Sequence, residues 1–589
     1  LLSGLLLACG SNPTPTSAPQ ATTAPTTGQT TAPRPTATVA EALSTVRPTL
    51  PPQAVTGSGT KLNEQAPLPP LPADAKKGGT LTIANPGSLA IDLHPAPTTT
   101  AFTTQWGIIY YLIWDGGLLS YNFNNLQWEL GMAKDMKVDE AGKVFTFTLR
   151  PDLKWSDGSP LTVDDFQFAF DNISKPNKEN PALNYAGLID KVQVASFKAD
   201  TANATMTVTM QKPFARDLAL QFINLAPIPK KVWEGKPFYD ATNNPEIKKP
   251  TVTHGPYMID SYDTSQGVFK PNPNWYRGKP NFEQIVVKPF APTVLGEALK
   301  TGQADISGAS LPPTFYDDLK KSENINLYEW YGVQNQYRYI VYNTTAAPFG
   351  DKALRQGIAY ALDRKTMITL GENGRAIPQY TFETEASPFY TNEIKKWDVD
   401  LDKSKKLLAD NGYKLEGTSL LGKDGKPLKF TVIFDPNDVS AKAVCTYIQQ
   451  QLKLIGIEVT VEAKDPQAYL SAILTKKYDA AVGFAGGATF PDPDSRKTYY
   501  TKNGTYNVAG HVMPRIDEIF ETGATELDAE KRKLLYREAM QILTDELPSQ
   551  VFYTKVYYVA ANKKLGGLTP TKSSTLFSHN AIATWYFKS

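Results

Sequence analysis

Cysteine is nearly absent: the 589 residues carry only Cys9 and Cys445. A disulfide framework is therefore not expected, since one bridge between those two would tie the extreme amino terminus to the body and staple nothing else. Histidine is equally scarce; His94, His254, His511 and His579 are the only ones, and none lies at metal-ligand spacing from another. No stretch approaches the ~18 consecutive apolar residues that a spanning helix requires. Charge of one sign is lacking too. The net charge is +2, without a basic tail, so nucleic acid is not the expected partner.

Catalytic motifs are missing as well. There is no G-x-S-x-G elbow, no histidine-glutamate zinc motif and no dinucleotide-type G-x-G-x-x-G. Gly417-Thr418-Ser419-Leu420-Leu421-Gly422-Lys423 superficially matches a phosphate loop, but Asp424 stands where Ser or Thr should ligate magnesium. Gly425 and Pro427 then follow in place of a helix, which predicts a hairpin. Asp492-Pro493-Asp494 lacks the graded acidic spacing of a calcium loop and reads as loop carboxylates. Carboxylate pairs of the glycosidase kind are not legible in a chain with 59 acidic residues. No metal or cofactor is called for, and the expectation is a protein that is not an enzyme, with a secreted hydrolase as the remote alternative.

What is present begins with length, which exceeds the ~250 to 300 residues at which one core stops growing and so predicts more than one lobe. Leu6-Leu7-Ala8-Cys9-Gly10 resembles the bacterial lipobox, in which cleavage precedes a cysteine that carries a diacylglycerol. Residues 1–9 read as the end of a lipoprotein signal, with Cys9 the lipidation site. Residues 10–76 are rich in Pro, Thr, Ser and Ala, and too little apolar surface is there to offset the cost of ordering a backbone. They are expected to form a disordered, semi-stiff tether.

After Lys77 the composition changes. Thr80-Leu81-Thr82-Ile83 predicts a first strand; Phe145, Phe147 and Leu149, and again Met206, Val208 and Met210, show the period-two pattern of half-buried strands. Thr162 with Asp165 reads as a capping box ahead of Phe166, Ala169, Phe170 and Ile173. Asp351 opens a second helix; a third ends at Asn411-Gly412, and a fourth carries Leu534, Leu535, Ile542 and Leu543 before Pro548. Strands and helices intermix, as in an α/β or α+β chain. Residues 236–256 and 490–506 read as irregular loops, and Cys445, amid helix-like residues, as structural.

Several segments, in order, resemble the family 5 extracellular solute-binding proteins, the group of oligopeptide and dipeptide receptors of ATP-binding-cassette importers. The most specific runs from Leu149-Arg150-Pro151-Asp152 through Trp155-Ser156-Asp157-Gly158 to Thr162-Val163-Asp164-Asp165-Phe166. Gly255-Pro256-Tyr257, Asn274-Trp275-Tyr276-Arg277-Gly278, Gly302-Gln303-Ala304-Asp305-Ile306, Asn343 with Pro348-Phe349, Arg355 to Arg364, and Leu452 to Glu458 follow. Taken singly these residues are scaffold; their order carries the resemblance.

The resemblance implies a periplasmic-binding-protein-like type II α/β fold: two lobes on a hinge plus an extra domain. Lobe I would comprise 77–122, 241–344 and 556–589, the extra domain 123–240, and lobe II 345–555. It further implies an extracytoplasmic, monomeric protein, lipid-anchored at the outer face of the cell membrane, that closes on a peptide and delivers it to permease subunits. Family receptors meet a peptide's amino terminus with an aspartate after a Gly-Trp segment. The corresponding stretch is Gly483-Phe484-Ala485-Gly486-Gly487, where Phe484 supplies the aromatic wall and Gly487 stands at the carboxylate's place. Asp492 or Asp494 would have to substitute, or the solute is neutral, an oligosaccharide for example. The remaining candidate ligand contacts are Leu89, Ala90 and Asp92, Trp106 and Tyr110, Tyr499 and Tyr553.

Overall fold

Thr80 to Ile83 do open a long strand, Thr80–Pro86, and it lies inside a seven-stranded sheet. In spatial order that sheet runs Tyr257–Tyr262, Gly267–Pro271, Gln284–Phe290, Thr80–Pro86, Ile306–Ser307, Tyr557–Asn562 and Ile325–Trp330. The computed structural model describes residues 61–89, 92–95, 104–122, 125–173, 193–331, 336–486, 492–568 and 581–589. Cys9 and the tether as far as residue 60 lie outside them.

A second sheet, of six strands, is ordered Ala376–Pro378, Ser549–Lys555, Tyr337–Tyr342, Ala480–Ala485, Lys429–Phe434 and Glu458–Ala463. Its strand Tyr337–Tyr342 corrects one expected boundary. Placed in lobe I by the sequence, it pairs on both sides within the second sheet. Its alternation explains why: Ile340 and Tyr342 pack into one apolar cluster of lobe II, Tyr337 and Tyr339 into another on the opposite face. Among the described strands the chain passes between the two sheets twice, from Trp330 to Tyr337 and from Lys555 to Tyr557.

The extra domain is built on an antiparallel sheet of Ala133–Val138, Val144–Leu149, Thr205–Met210 and Val194–Asp200. One half of the predicted capping box forms at the helix Val163–Ile173, where Asp165 Oδ2 accepts from Thr162 N at 2.9 Å, while Asp165 N donates to the Thr162 carbonyl in place of its hydroxyl. The same carboxylate accepts from Trp155 Nε1 at 3.2 Å and from Lys230 N at 3.0 Å. An ordinary cap contributes about 1 kcal/mol; losing this one would also orphan buried donors from two other segments. The domain's apolar interior is continuous with that of lobe I: Phe145, Phe166 and Met206 belong to one cluster with Leu81, Ile83 and Val287.

A second correction concerns the tether, because residues 61–76 are folded. Leu62 is buried in the shared core, Asn63–Glu64 pairs in parallel with Gln127–Leu130, and Ala75–Lys76 pairs with Tyr586–Lys588. Tyr276 Oη donates to Gln65 Oε1 at 2.6 Å and Arg277 Nε to the Ala66 carbonyl at 2.9 Å. The composition of 10–76 conceals this: one apolar side chain and free sheet edges suffice to order the last residues before the body.

The remaining predicted elements take their places. Asp351 caps the helix Lys352–Ala361, Leu401–Asp410 stops at Asn411, and Ala529–Glu546 precedes Pro548. The phosphate-loop look-alike is a hairpin of Lys414–Glu416 and Ser419–Leu421. Within 490–506, in contrast, Pro493–Arg496 forms a 3-10 turn running into the helix Lys497–Tyr500. Cys445 is buried in the helix Val439–Lys453, and burial pushes its thiol up to about 12. No helix among the described residues is long and apolar enough to cross a membrane.

The landmark segments act as scaffold. A Cβ on Gly255 would lie 2.5 Å from the Leu112 carbonyl oxygen, so only glycine fits there. Trp275 Nε1 donates to Asp115 Oδ2 at 2.7 Å, Thr82 N to Asp305 Oδ2 at 2.8 Å, and Arg355 Nη1 to the Phe349 carbonyl at 2.7 Å.

Candidate functional site

Strand direction locates the cleft. In lobe II the strands Lys429–Phe434, Glu458–Ala463 and Ala480–Ala485 run parallel, and Tyr337 pairs with Ala485 at their carboxyl end. In lobe I the parallel strands Gln284–Phe290, Thr80–Pro86 and Ile306–Ser307 end on the side of Tyr557. Both crossings therefore join carboxyl end to carboxyl end, the crevice in which open α/β sheets hold their ligands.

The crossings are tied to one another and to both lobes. Thr554 Oγ1 donates to the Gln336 carbonyl at 2.7 Å, and Tyr557 Oη pairs with Gln336 Oε1. Arg375 of lobe II donates through Nη2 to Glu329 Oε1 of lobe I at 2.8 Å, and its guanidinium lies 3.1 Å from the Tyr316 ring centroid.

Of the candidate residues, Phe484 stands at the cleft end of its strand. Its ring centroid is 5.2 Å from the Arg338 guanidinium and 4.8 Å from the Lys555 ammonium. Arg338, fully buried, donates to both oxygens of Asp438 at 2.6 and 2.9 Å, while Lys555 pairs with Glu372 at 3.3 Å. Two cations and two carboxylates thus balance around the ring. Gly486 offers its carbonyl to Arg496 Nη1 at 2.9 Å. Tyr499 stacks on Tyr506 with centroids 5.5 Å apart.

Other candidates are committed to packing. Leu89 is buried in the lobe I core, Ala485 beside Tyr337 and Tyr500, and Tyr553 within lobe II, its hydroxyl 3.2 Å from Glu372 Oε1. Asp92 Oδ1 accepts from His94 N at 3.0 Å, and burial raises its carboxyl. Tyr110 lies edge-on to Tyr111 at 5.7 Å, its hydroxyl raised by burial. Ala90, Gly487 and the side chain of Trp106 lie outside the described residues.

Asp492 is 5 % exposed and already taken: Arg532 Nη1 and Nη2 donate to its two oxygens, each at 2.8 Å. Asp494 remains, with Tyr536 Oη 3.5 Å away; burial and then the neighbouring Asp492 push its carboxyl up to about 6. From the extra domain Asp217 approaches the same group, its carboxyl raised by burial and by Asp492 against the pull of Arg216. Sequence reasoning missed Arg532, Asp217, Arg338, Asp438 and the segment 379–390. In that segment Phe389 lies 5.2 Å under Arg532, and Ala386 packs against the lobe I core. A helix-capping aspartate at 438 was the only available signal. Among the described residues no cluster of His, Cys, Asp and Glu is placed to hold a metal.

The fold is shared with known proteins. The oligopeptide-binding protein AppA of Bacillus subtilis is 24% identical over 491 residues, 82% of this chain and 87% of its own length. The structure of the transporter substrate-binding protein CtaP from Listeria monocytogenes superposes with a TM-score of 0.73 at 23% identity, covering 87% of this chain and 100% of that one. That of Bacillus subtilis AppA in complex with a nonapeptide gives 0.66 at 20%, covering 87% and 100%. These likenesses establish the two-lobe type II fold that the landmark segments implied. The profile of the bacterial extracellular solute-binding proteins, family 5 Middle, matches residues 127–507, and the chain belongs to that family.

Proposed function

We propose that this protein captures peptides by closing its two lobes over the crevice between the facing carboxyl edges, and hands them to the permease subunits of an importer of the ATP-binding-cassette type. The observation that carries this is the pair of crossings, Trp330 to Tyr337 and Lys555 to Tyr557, that link two separately cored sheets among the described residues. A ligand touching both lobes favours the closed state by the contact energy that the open state lacks. No chemical step is required, and the protein acts as a binder, a monomer held at the outer face of the membrane through Cys9. The peptide assignment is supported by the named relative that binds oligopeptides and by the related structure with a nonapeptide bound.

A second reading, a neutral solute such as an oligosaccharide, is favoured by the engagement of Asp492 with Arg532. An ammonium left unpaired in a closed cleft carries a large desolvation penalty. Thermal unfolding in the presence of peptide mixtures and, separately, of oligosaccharides distinguishes the two. A true ligand at a hundredfold excess over its dissociation constant stabilises by roughly 2.7 kcal/mol. Stabilisation by sugars alone would replace the peptide assignment, and ligand recovered cleaved by mass spectrometry would overturn binding without chemistry.

A further inference from the structure

Far along the chain from both crossings, the extra domain touches lobe II directly. Ala215 N donates to the Ala524 carbonyl at 2.9 Å. Ala215 is the residue before the helix Arg216–Ile223, and Ala524 lies in the last turn of the helix Pro514–Thr525. The carbonyls of a helix's last turn have no partner within the helix. Here three of them find one outside it: Thr522 accepts from Glu526 N at 2.9 Å, Gly523 from Arg532 Nε at 2.6 Å, and Ala524 from the extra domain. The negative end of one helix thus meets the positive end of another between lobe II and the extra domain, an attractive arrangement.

Packing follows the same line. Ala524 is 3 % exposed and belongs to the core otherwise made by lobe I and the extra domain. Leu527, just beyond it, covers the turn at Gly142, where an added Cβ would stand 3.4 Å from the leucine Cδ2. Beside them Arg216 and Asp217 of the extra domain face the Asp492–Arg532 pair of lobe II. The hydrogen bond from Ala215 and the packing of Ala524 and Leu527 lie apart from Phe484 and the crossings, while the Arg216–Asp217 side reaches the Asp492–Arg532 pair under the cleft.

We propose that this join is a clasp: it holds a fraction of the molecules shut without any solute, so that the extra domain sets how far closure has gone before capture. Its removal shifts the balance toward the open form and weakens apparent affinity in proportion to the shut fraction lost.

Ala215→Pro is the incisive variant. Ala215 has φ −49° and ψ 131° at the start of a helix, close to the range proline adopts, and proline has no N–H to donate. The measurement is the distance distribution between spin labels at Lys137→Cys and Glu521→Cys in the full chain. The background carries Cys9→Ser, and ligand is removed by unfolding and refolding. The unmodified background should show a short-distance population, and Ala215→Pro should lower the ratio of shut to open by roughly two- to tenfold, the worth of one hydrogen bond. Ala215→Gly, which keeps the donor, should match the background. Should the proline variant fail to fold by circular dichroism, Leu527→Ser replaces it, with every backbone donor intact and a smaller shift in the same direction expected. A background with no short-distance population, or variants whose distributions superimpose on it, would overturn the clasp.

Discussion

Replacing Arg532 by methionine tests how lobe II is held together under the cleft. The guanidinium is 2 % exposed and its partner carboxylate 5 %. It donates twice to Asp492 at 2.8 Å and once to the Gly523 carbonyl at 2.6 Å, and it lies 5.2 Å from the Phe389 ring centroid. An exposed ion pair would be worth about 0 to 1 kcal/mol. Breaking a buried one leaves an uncompensated charge and costs about 3–5 kcal/mol, so burial decides the size. Arg532→Met is therefore expected to destabilise by about 3–5 kcal/mol in urea unfolding at neutral pH. Asp492→Asn should cost a comparable amount. The double variant should be less damaged than the sum of the two, with a coupling of at least about 2 kcal/mol, because it leaves no charge alone. Additive effects, or a loss under about 1 kcal/mol from Arg532→Met, would show that the pair is solvated and the buried arrangement wrong.

Asp494, raised to about 6 by burial and by Asp492, makes folding sensitive to pH in a definite direction. Its folded pKa lies above the unfolded value of about 3.8. The folded state thus holds the proton longer; stability contributed by this group falls as pH rises from about 4 to 6 and stays low above. Asp494→Asn should flatten that slope and stabilise the protein at pH 7 in thermal unfolding; an unchanged slope would exonerate the residue. If Cys9 carries a lipid, the protein from intact cells should partition into detergent, and Cys9→Ser should move it to the aqueous phase, whereas equal partitioning of both removes the anchor.

Local rules were legible where the partners are close in sequence. Thr162 and Asp165 are three residues apart, Asp351 caps its own helix, and alternation marked Val144–Leu149 and Thr205–Met210. The family landmarks could also be read, since each is a short motif of fixed internal spacing, although the partners they hold, Asp115 for Trp275 and Thr82 for Asp305, lie far away in the chain. Contacts that define the cleft are different. Arg532 and Asp492 are 40 residues apart, Arg338 and Asp438 100 apart, and nothing in either neighbourhood announces the other. Tyr337–Tyr342 was assigned to the wrong lobe for the same reason: a strand's alternation shows that it has two faces, not which sheet it joins. Residues 61–76 failed through composition, which averages over a segment and overlooks the single leucine that seats it.

One of the two crossings between the lobes consists of Val556 alone, lying between Lys555 and Tyr557. A single residue brings two soft torsions. Under the proposed closure, whatever rotation separates the lobes at this link must be absorbed by those two torsions and the residues flanking them, which makes Val556 a pivot.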